Sequence, residues 1–555
     1  MKNIKEDMAI RIRFTGILLV LGLFASAQKQ PSALPRPKLV VGIVVDQMRW
    51  DYLYRYYSRY KPNGFKRLLN EGFSCENTYI NYLPSVTAIG HSSIYTGSVP
   101  AIHGITGNDF LIEATGKNMY CTEDTSVSSV GTSSNEGKMS PRNLLASTIT
   151  DELKLATNFK SKVISISLKD RGSILPAGHA ANAAYWFDNA TGNWISSTFY
   201  MKELPAWVRK MNDQKLTEKY LKQDWNTLYD INTYVQSSPD DNRYEGKYQG
   251  KSTSTFPVKT SGMFTSKNYE IIRSTPYGNS LTLDLAKAAI ENEQLGKGGT
   301  TDFLAVSCSS TDLIGHKTGL LSVEVEDTYL RLDIDLANFF TYLDTKIGKG
   351  NYTLFLTADH GAGHNPNLLI DNRLPGGYWI GSQTQRDLNT LLEDKFKIKN
   401  IVTSFSNSQV HLNHKIIAQN RLDENAIKTE IVDFLILHPS IAFAVVNNKL
   451  EEAAVPAYIK NLITNSYNPK RSGAITIILQ PGWYSGSSPS GTGSAHASWN
   501  PHDTHIPLVW MGWGIKHGSS NRHINITDIA PTLAALLHIQ EPNGCVGVPI
   551  EEVLK

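Results

Sequence analysis

The chain of 555 residues reads as an α/β protein: a mainly parallel central sheet flanked by helices, with two large insertions forming a cap. Three observations predict this. Near-continuous apolar runs recur, such as Leu39-Val-Val-Gly-Ile-Val-Val45 and Tyr352-Thr-Leu-Phe-Leu-Thr357, as in strands covered on both faces. Helical patterns over residues 50–70, 280–295 and about 323–347 separate the runs, as in βαβ units. Each main run also opens into polar residues at its carboxyl end, where open α/β sheets bind ligands.

The N-terminus carries Lys2, Lys5, Arg11 and Arg13, an apolar run over residues 14–24, and Ala25-Ser-Ala27. A basic segment, a run too short to span a bilayer and an A-x-A cleavage site predict a signal peptide over 1–27. The protein is therefore expected to be periplasmic or secreted, with no stable membrane anchor. Cleavage lowers the formal net charge from +3 to +1, which leaves no general attraction to nucleic acid. Residues 28–555 are expected to form one catalytic domain, acting as a monomer, with insertions at about 199–264 and 365–479. The four cysteines, Cys75, Cys121, Cys308 and Cys545, allow three complete pairings. Cys308 lies in a predicted core strand and reads as a buried free thiol.

The chemistry-bearing residues follow in order. Asp46 ends the first strand. Pro84 bars helix before Ser85, and the small residues 87–96 read as a packed helix stopped by Gly97. Thr87 thus falls at a helix N-terminus, where free N–H groups stabilise an alkoxide or a phosphate. His91, in the same helix, reads as a packing residue. The glycine-containing loop 100–108 brings Asn108 toward an anion. Strand 162–167 opens into Lys169-Asp-Arg171, a point charge and a fork suited to a dianion. Strand 303–307 leads to Asp312 and His316, four apart and so on one helical face, as two ligands of one metal require. Strand 352–357 delivers Asp359, His360 and Gly361. A Gly/Ser-rich loop over 482–494 delivers His496, with His502 and His505 close behind. The strand 506–510 and the helix 526–537 close the domain.

Carboxylates and imidazoles without thiolates suit zinc. Seven such positions, counting Thr87, exceed one tetrahedral ion, so two Zn2+ are expected. A two-metal site suits phosphate hydrolysis.

Val45-Asp46, Pro84-Ser-Val-Thr87, Gly107-Asn108, Lys169-Asp-Arg171, Ser310-Thr-Asp312 through His316, Ala358-Asp-His-Gly361 and His496 with Asp503-Thr-His505-Ile-Pro507 together resemble the alkaline phosphatase superfamily. More closely, the chain is similar to the exported, phosphate-irrepressible alkaline phosphatases with a threonine nucleophile, the PafA type. The resemblance implies that Asp46, Thr87, Asp359 and His360 hold one zinc and that Asp312, His316 and His496 hold the other. It further implies that Thr87 attacks phosphorus to form a phosphothreonine, that Asn108, Lys169 and Arg171 contact the phosphoryl oxygens, and that the substrates are small-molecule phosphate monoesters. The chain has His496-Ala497 where similar proteins often have His-Gly. His502 and His505 compete for the ligand role, and His496 is preferred because it leaves the Gly/Ser loop into the cleft.

Residues 84–91 lack the C/S-x-P-x-R context of a sulfatase. Nucleotide pyrophosphatase/phosphodiesterases share the threonine, asparagine and zinc ligands, so Lys169 and Arg171 decide between the branches: two extra cations favour a monoester dianion over a singly charged diester. A non-catalytic, metal-dependent phosphate binder is the third reading. Such a binder has no use for a nucleophile beside a metal.

Overall fold

Every residue of the strand Leu39–Val45 is buried, because it lies inside a parallel set of five. In a computed structural model describing residues 34–265 and 268–554, that set runs Tyr352–Thr357, Leu39–Val45, Asp302–Cys308, Val163–Ser167, Ala183–Phe187. The chain divides into Met1–Arg36 and Pro37–Lys555. The second unit holds every element discussed below, and the expected signal peptide lies outside the described residues.

Register positions the site. Val44 pairs with both Thr357 and Ser307, and Ser307 pairs with Ser167, so the carboxyl ends of four strands finish level. Asp46, Lys169, the Asp312 turn and Asp359 therefore leave the sheet along one edge. The flanks are antiparallel: Leu508–Gly512 runs against Tyr352–Thr357, and Trp194–Ser197 against Ala183–Phe187. At the second flank the turn between Phe187 and Trp194 is too short for a crossover. The 11-stranded sheet is thus mixed around a parallel centre.

Three local readings change. The helix expected over 50–70 is broken into Tyr52–Arg55, a 3-10 turn Tyr57–Arg59, and Phe65–Glu71. Pro62 sits in the gap and cannot donate to a helix ladder. The buried Asp333 carboxylate instead accepts the N–H groups of Lys61 (2.6 Å) and Phe65 (2.7 Å). The strand expected over 506–510 is split by Pro507 into His505–Ile506 and Leu508–Gly512. Residues 401–412, within the second expected insertion and strand-like in sequence, form not one strand but a hairpin, Val402–Ser406 with Gln409–Leu412, turned by Asn407 and Ser408 at φ 53° and 58°.

Of the two expected insertions, the second carries its own antiparallel sheet, Val402–Ser406, Gln409–Leu412, Ile475–Leu479 and Ile441–Val446, over a separate core including Leu388, Leu392, Ile427, Ile431 and Ile477. The first places Val208, Leu221, Trp225, Tyr248 and Val258 in the main core, and Trp225 donates to Asp327 at 2.7 Å. All four cysteines are free thiols. Cys308 is fully buried in its strand.

The helix Thr87–Thr96 is buried along its whole length and stops at Gly97, whose φ of 62° suits glycine. A Cβ built on Gly90 would lie 2.3 Å from the Asp359 carbonyl oxygen and 2.6 Å from its Cβ, so glycine alone lets this helix seat against the Asp359 turn. Gly90→Ala is expected to destabilise the fold by about 1–3 kcal/mol, the usual cost of overpacking, and to lower activity by displacing Asp359. Chemical unfolding with a matched activity assay checks this; unchanged stability and activity would contradict the close fit.

Candidate active site

Two neighbouring strands end in the first cluster. Asp46 follows Leu39–Val45, and Asp359 and His360 follow Tyr352–Thr357; all three are fully buried. The turn holds Asp46 through its own N–H, which donates to Cys308 (3.1 Å), and through the Thr311 hydroxyl, which donates to its carbonyl (2.6 Å). Asp359 Oδ1 accepts the N–H groups of Gln47 (3.3 Å) and His360 (3.1 Å).

Asp46 Oδ1, Asp359 Oδ2 and His360 Nε2, by contrast, have no hydrogen-bond partner. His360 Nε2 lies 3.5 Å from the first and 3.6 Å from the second. The opposite ring nitrogen, Nδ1, is 2.9 Å from the Gly361 carbonyl, which assigns it the proton and leaves Nε2 a free lone pair. Three buried lone pairs aimed at one point are costly without a cation. Burial and the Asp359 charge push Asp46 up to about 7, against the pull of Lys169. Burial also disfavours charge on Asp359, but His360 and His91 together hold it below the usual carboxylate range.

The second cluster comes from the helix Ser310–Thr318 and the loop leading to His496. His316 Nε2 is 3.1 Å from Asp312 Oδ1, and His496 Nε2 is 3.1 Å from His316 Nε2 and 3.8 Å from Asp312 Oδ1. Both imidazoles present Nε2 because Nδ1 is engaged elsewhere, His316 with the Ser494 carbonyl (3.1 Å) and His496 with that of Ser85 (2.7 Å). Within each cluster the ligand atoms lie within 4.8 Å of one another, as one ion requires. Burial opposes the Asp312 charge, yet His316 and Lys169 hold it well below the usual range. Burial and the neighbouring His360 and His316 keep His496 neutral, the form that binds metal. His360 and His496 stack at 3.8 Å between centroids, so the clusters are adjacent. The His316 side chain is 40% exposed and marks the solvent side.

Lys169 joins the two. Its ammonium donates to Asp46 Oδ2 and Asp312 Oδ2, both at 2.6 Å, and lies 3.4 Å from Thr87 Oγ1. Thr87 begins its helix, buried, and the next N–H, of Ala88, donates to Asn108 Oδ1 at 3.0 Å. Arg171 follows in the helix Asp170–Ala177. Its Nη1 donates to the Tyr120 hydroxyl (3.0 Å), which donates to Asp170 (2.8 Å), while its Nε is buried without a partner.

The competing histidines are engaged away from these clusters. His502 Nε2 is 2.5 Å from the Tyr484 hydroxyl. His505 is stacked between Trp50 and Tyr79, with Nε2 on the Glu76 carbonyl. His91 is fully buried, with its nitrogens 2.9 Å from the Thr87 carbonyl and the Ser307 hydroxyl. Ala497 sits at φ 77°, a left-handed conformation that glycine adopts without cost. Sequence reasoning missed Gln47. Its Nε2 donates to Asp312 Oδ1 at 2.6 Å, its Oε1 accepts from Ser494, and its main-chain N–H donates to Asp359 Oδ1, so one residue, through side chain and backbone, orients carboxylates of both clusters. Its one signal was adjacency to Asp46.

The model of the type I phosphodiesterase / nucleotide pyrophosphatase family matches residues 40–512. A relative in Myroides odoratus named calcium-transporting ATPase is 56% identical over 98% of this chain and all of its own length. Alkaline phosphatase PhoV of Synechococcus elongatus is 53% identical over 99% of this chain and all of its own. The crystal structure of wild-type alkaline phosphatase PafA superposes with a TM-score of 0.91 at 50% identity, covering 94% of this chain and all of that one. The chain belongs to the type I phosphodiesterase / nucleotide pyrophosphatase family, on the branch that includes the PhoV and PafA alkaline phosphatases.

Proposed function

We propose that this protein is an alkaline phosphatase that hydrolyses small-molecule phosphate monoesters through a phosphothreonine on Thr87. The observation that carries this reading is the seat of Thr87, a buried hydroxyl at a helix N-terminus, 3.4 Å from an ammonium that spans two metal-type clusters. Relatives named alkaline phosphatase at 50–53% identity support it.

The donor sets fit zinc: Asp46, Asp359 and His360 with the Thr87 oxygen would hold one ion, and Asp312, His316 and His496 the other. Bound there, two zinc ions would supply positive charge to the attacking and leaving oxygens of an in-line displacement. The protein's own groups do the rest. The helix N-terminus and the Lys169 ammonium favour the Thr87 alkoxide. Its oxygen bonds to phosphorus as the bond to the leaving alcohol breaks, and water then cleaves the phosphothreonine to release phosphate and restore Thr87. Asn108, Lys169 and Arg171 bind the non-bridging oxygens. Arg171 approaches with a fork held by Tyr120, and the two cations favour a dianionic monoester over a diester.

Export through the predicted signal peptide, action as a monomer, and a cap made from the two insertions complete the reading. The tie between loop and site supports the cap: Gly246 N–H donates to the Lys317 carbonyl beside His316. No feature of the site favours the transport activity in the name of the Myroides relative. Among the described residues, no helix is long and apolar enough to cross a membrane.

Thr87→Ala is expected to lower kcat/KM on an aryl monoester by about 10^3-fold or more, the scale lost with a covalent nucleophile, while zinc content by elemental analysis stays near two per chain. Wild-type turnover in the variant would refute the covalent route. Gln47→Asn, too short to reach Asp312, is expected to weaken zinc at the second cluster by about 10–100-fold, as loss of a ligand-orienting hydrogen bond does. Chelator competition reads this directly; unchanged affinity would remove Gln47 from the site.

A further inference from the structure

A cavity of about 310 Å³ opens beside the active site, its walls including Arg273, Lys317, Leu313, Tyr248, Met263 and Glu270. Leu313 and Lys317 follow Asp312 and His316 by one residue each in the helix Ser310–Thr318. One residue is a rotation of about 100°, so the turns that present metal-type ligands on one face present the cavity wall on the next. Tyr248 and Met263 come from the first expected insertion, and Arg273 from the 3-10 turn Tyr269–Ser274.

Two cations line this space, and among the described residues neither forms an ion pair with a carboxylate. The Lys317 ammonium lies 5.1 Å from the centre of the Tyr248 ring, a contact that uses none of its hydrogen-bond donors. Arg273 Nη1 reaches Asn189 Oδ1 at 3.3 Å, and its Nε is buried without a partner. The charged neighbour of Arg273 is Arg171, whose own Nε is equally unpartnered. Burial and the Arg171 charge push Arg273 below its usual value, against the pull of Asp170. Asp170 pairs with neither guanidinium; its oxygens accept the hydroxyls of Tyr120 (2.8 Å) and Thr122 (2.5 Å). Glu270, the one acid in the wall, is exposed. Two unpaired cations and a buried, unsatisfied N–H on a cavity wall call for an anion.

We propose that Arg273 and Lys317 form a second anion site, which holds a phosphate group on the leaving alcohol, so that the preferred substrates are bisphosphorylated small molecules. The inference rests on the phosphomonoesterase reading of the Thr87 site and names its substrate class. A guanidinium fork and an ammonium from different elements match the several oxygens of a phosphate. Asn108, Lys169 and Arg171 hold the phosphoryl group that is transferred, and Arg273 and Lys317 hold the one that departs with the alcohol. Tyr248, Met263 and Leu313 offer the carbon spacer an apolar wall.

The test uses α,ω-alkanediol bisphosphates with spacers of about three to eight carbons, each against the monophosphate of the same diol, on the zinc-loaded protein at low ionic strength. The readout is the ratio of kcat/KM on bisphosphate to that on monophosphate within each protein, so that a general loss of activity in a variant cancels. Two equivalent ends alone give a ratio of about two. Wild type is expected to reach about 20 or more at the spacer length that spans both sites, the tenfold gain of one charge-assisted contact. Arg273→Ala and Lys317→Met, on separate elements, are each expected to bring the ratio toward two. Monophosphate turnover with a wild-type ratio near two at every length would overturn the second site and leave the phosphatase reading standing. A raised ratio that both variants keep would overturn the assignment to these residues. Turnover of neither substrate would bring down the phosphatase reading and this inference with it.

Discussion

Three aspartates, Asp46, Asp312 and Asp359, are buried at the ends of neighbouring strands, and keeping their charge there is the constraint on which the rest of the site depends. The fold answers it with a lysine shared between Asp46 and Asp312, with Gln47 reaching Asp312 and Asp359, and with imidazoles fixed by main-chain carbonyls. What remains is one unpartnered lone pair each on Asp46, Asp359 and His360. The same interactions that make the buried charges tolerable aim the free atoms at common points.

This explains why the parallel sheet matters. Level strand ends bring residues more than 300 positions apart within hydrogen-bond range, as Gln47 and Asp359 show. The helix Thr87–Thr96 must then lie directly against the Asp359 turn to bring its N-terminus into the site, and Gly90 provides the clearance. Sheet register, one glycine and one lysine thus seat the Thr87 hydroxyl beside an ammonium that spans the two clusters.

The parallel centre and the ligand-type residues were legible in the sequence because the signals are local. Asp359-His360 is a dipeptide, Asp312 and His316 share a helix face, and each pair closes an apolar run. Elements decided by distant partners were not legible. The break in residues 50–70 depends on Asp333 from another helix, and the role of Gln47 on the approach of Asp312 and Ser494. Loop composition alone favours His496 over His502 and His505; the Ser85 carbonyl that engages its Nδ1 lies 411 positions away, and no spacing rule could have named it.

The central claim is that Lys169 and Arg171 turn a site shared across the family into one for phosphate monoesters. The most direct measurement is kcat/KM of the zinc-loaded protein on a matched aryl monoester and diester, for wild type and for the Lys169→Ala/Arg171→Ala double variant. The account predicts a strong monoester preference in wild type that collapses in the variant, with diester hydrolysis far less affected. A wild-type preference for the diester, or equal losses on both substrates, would contradict it.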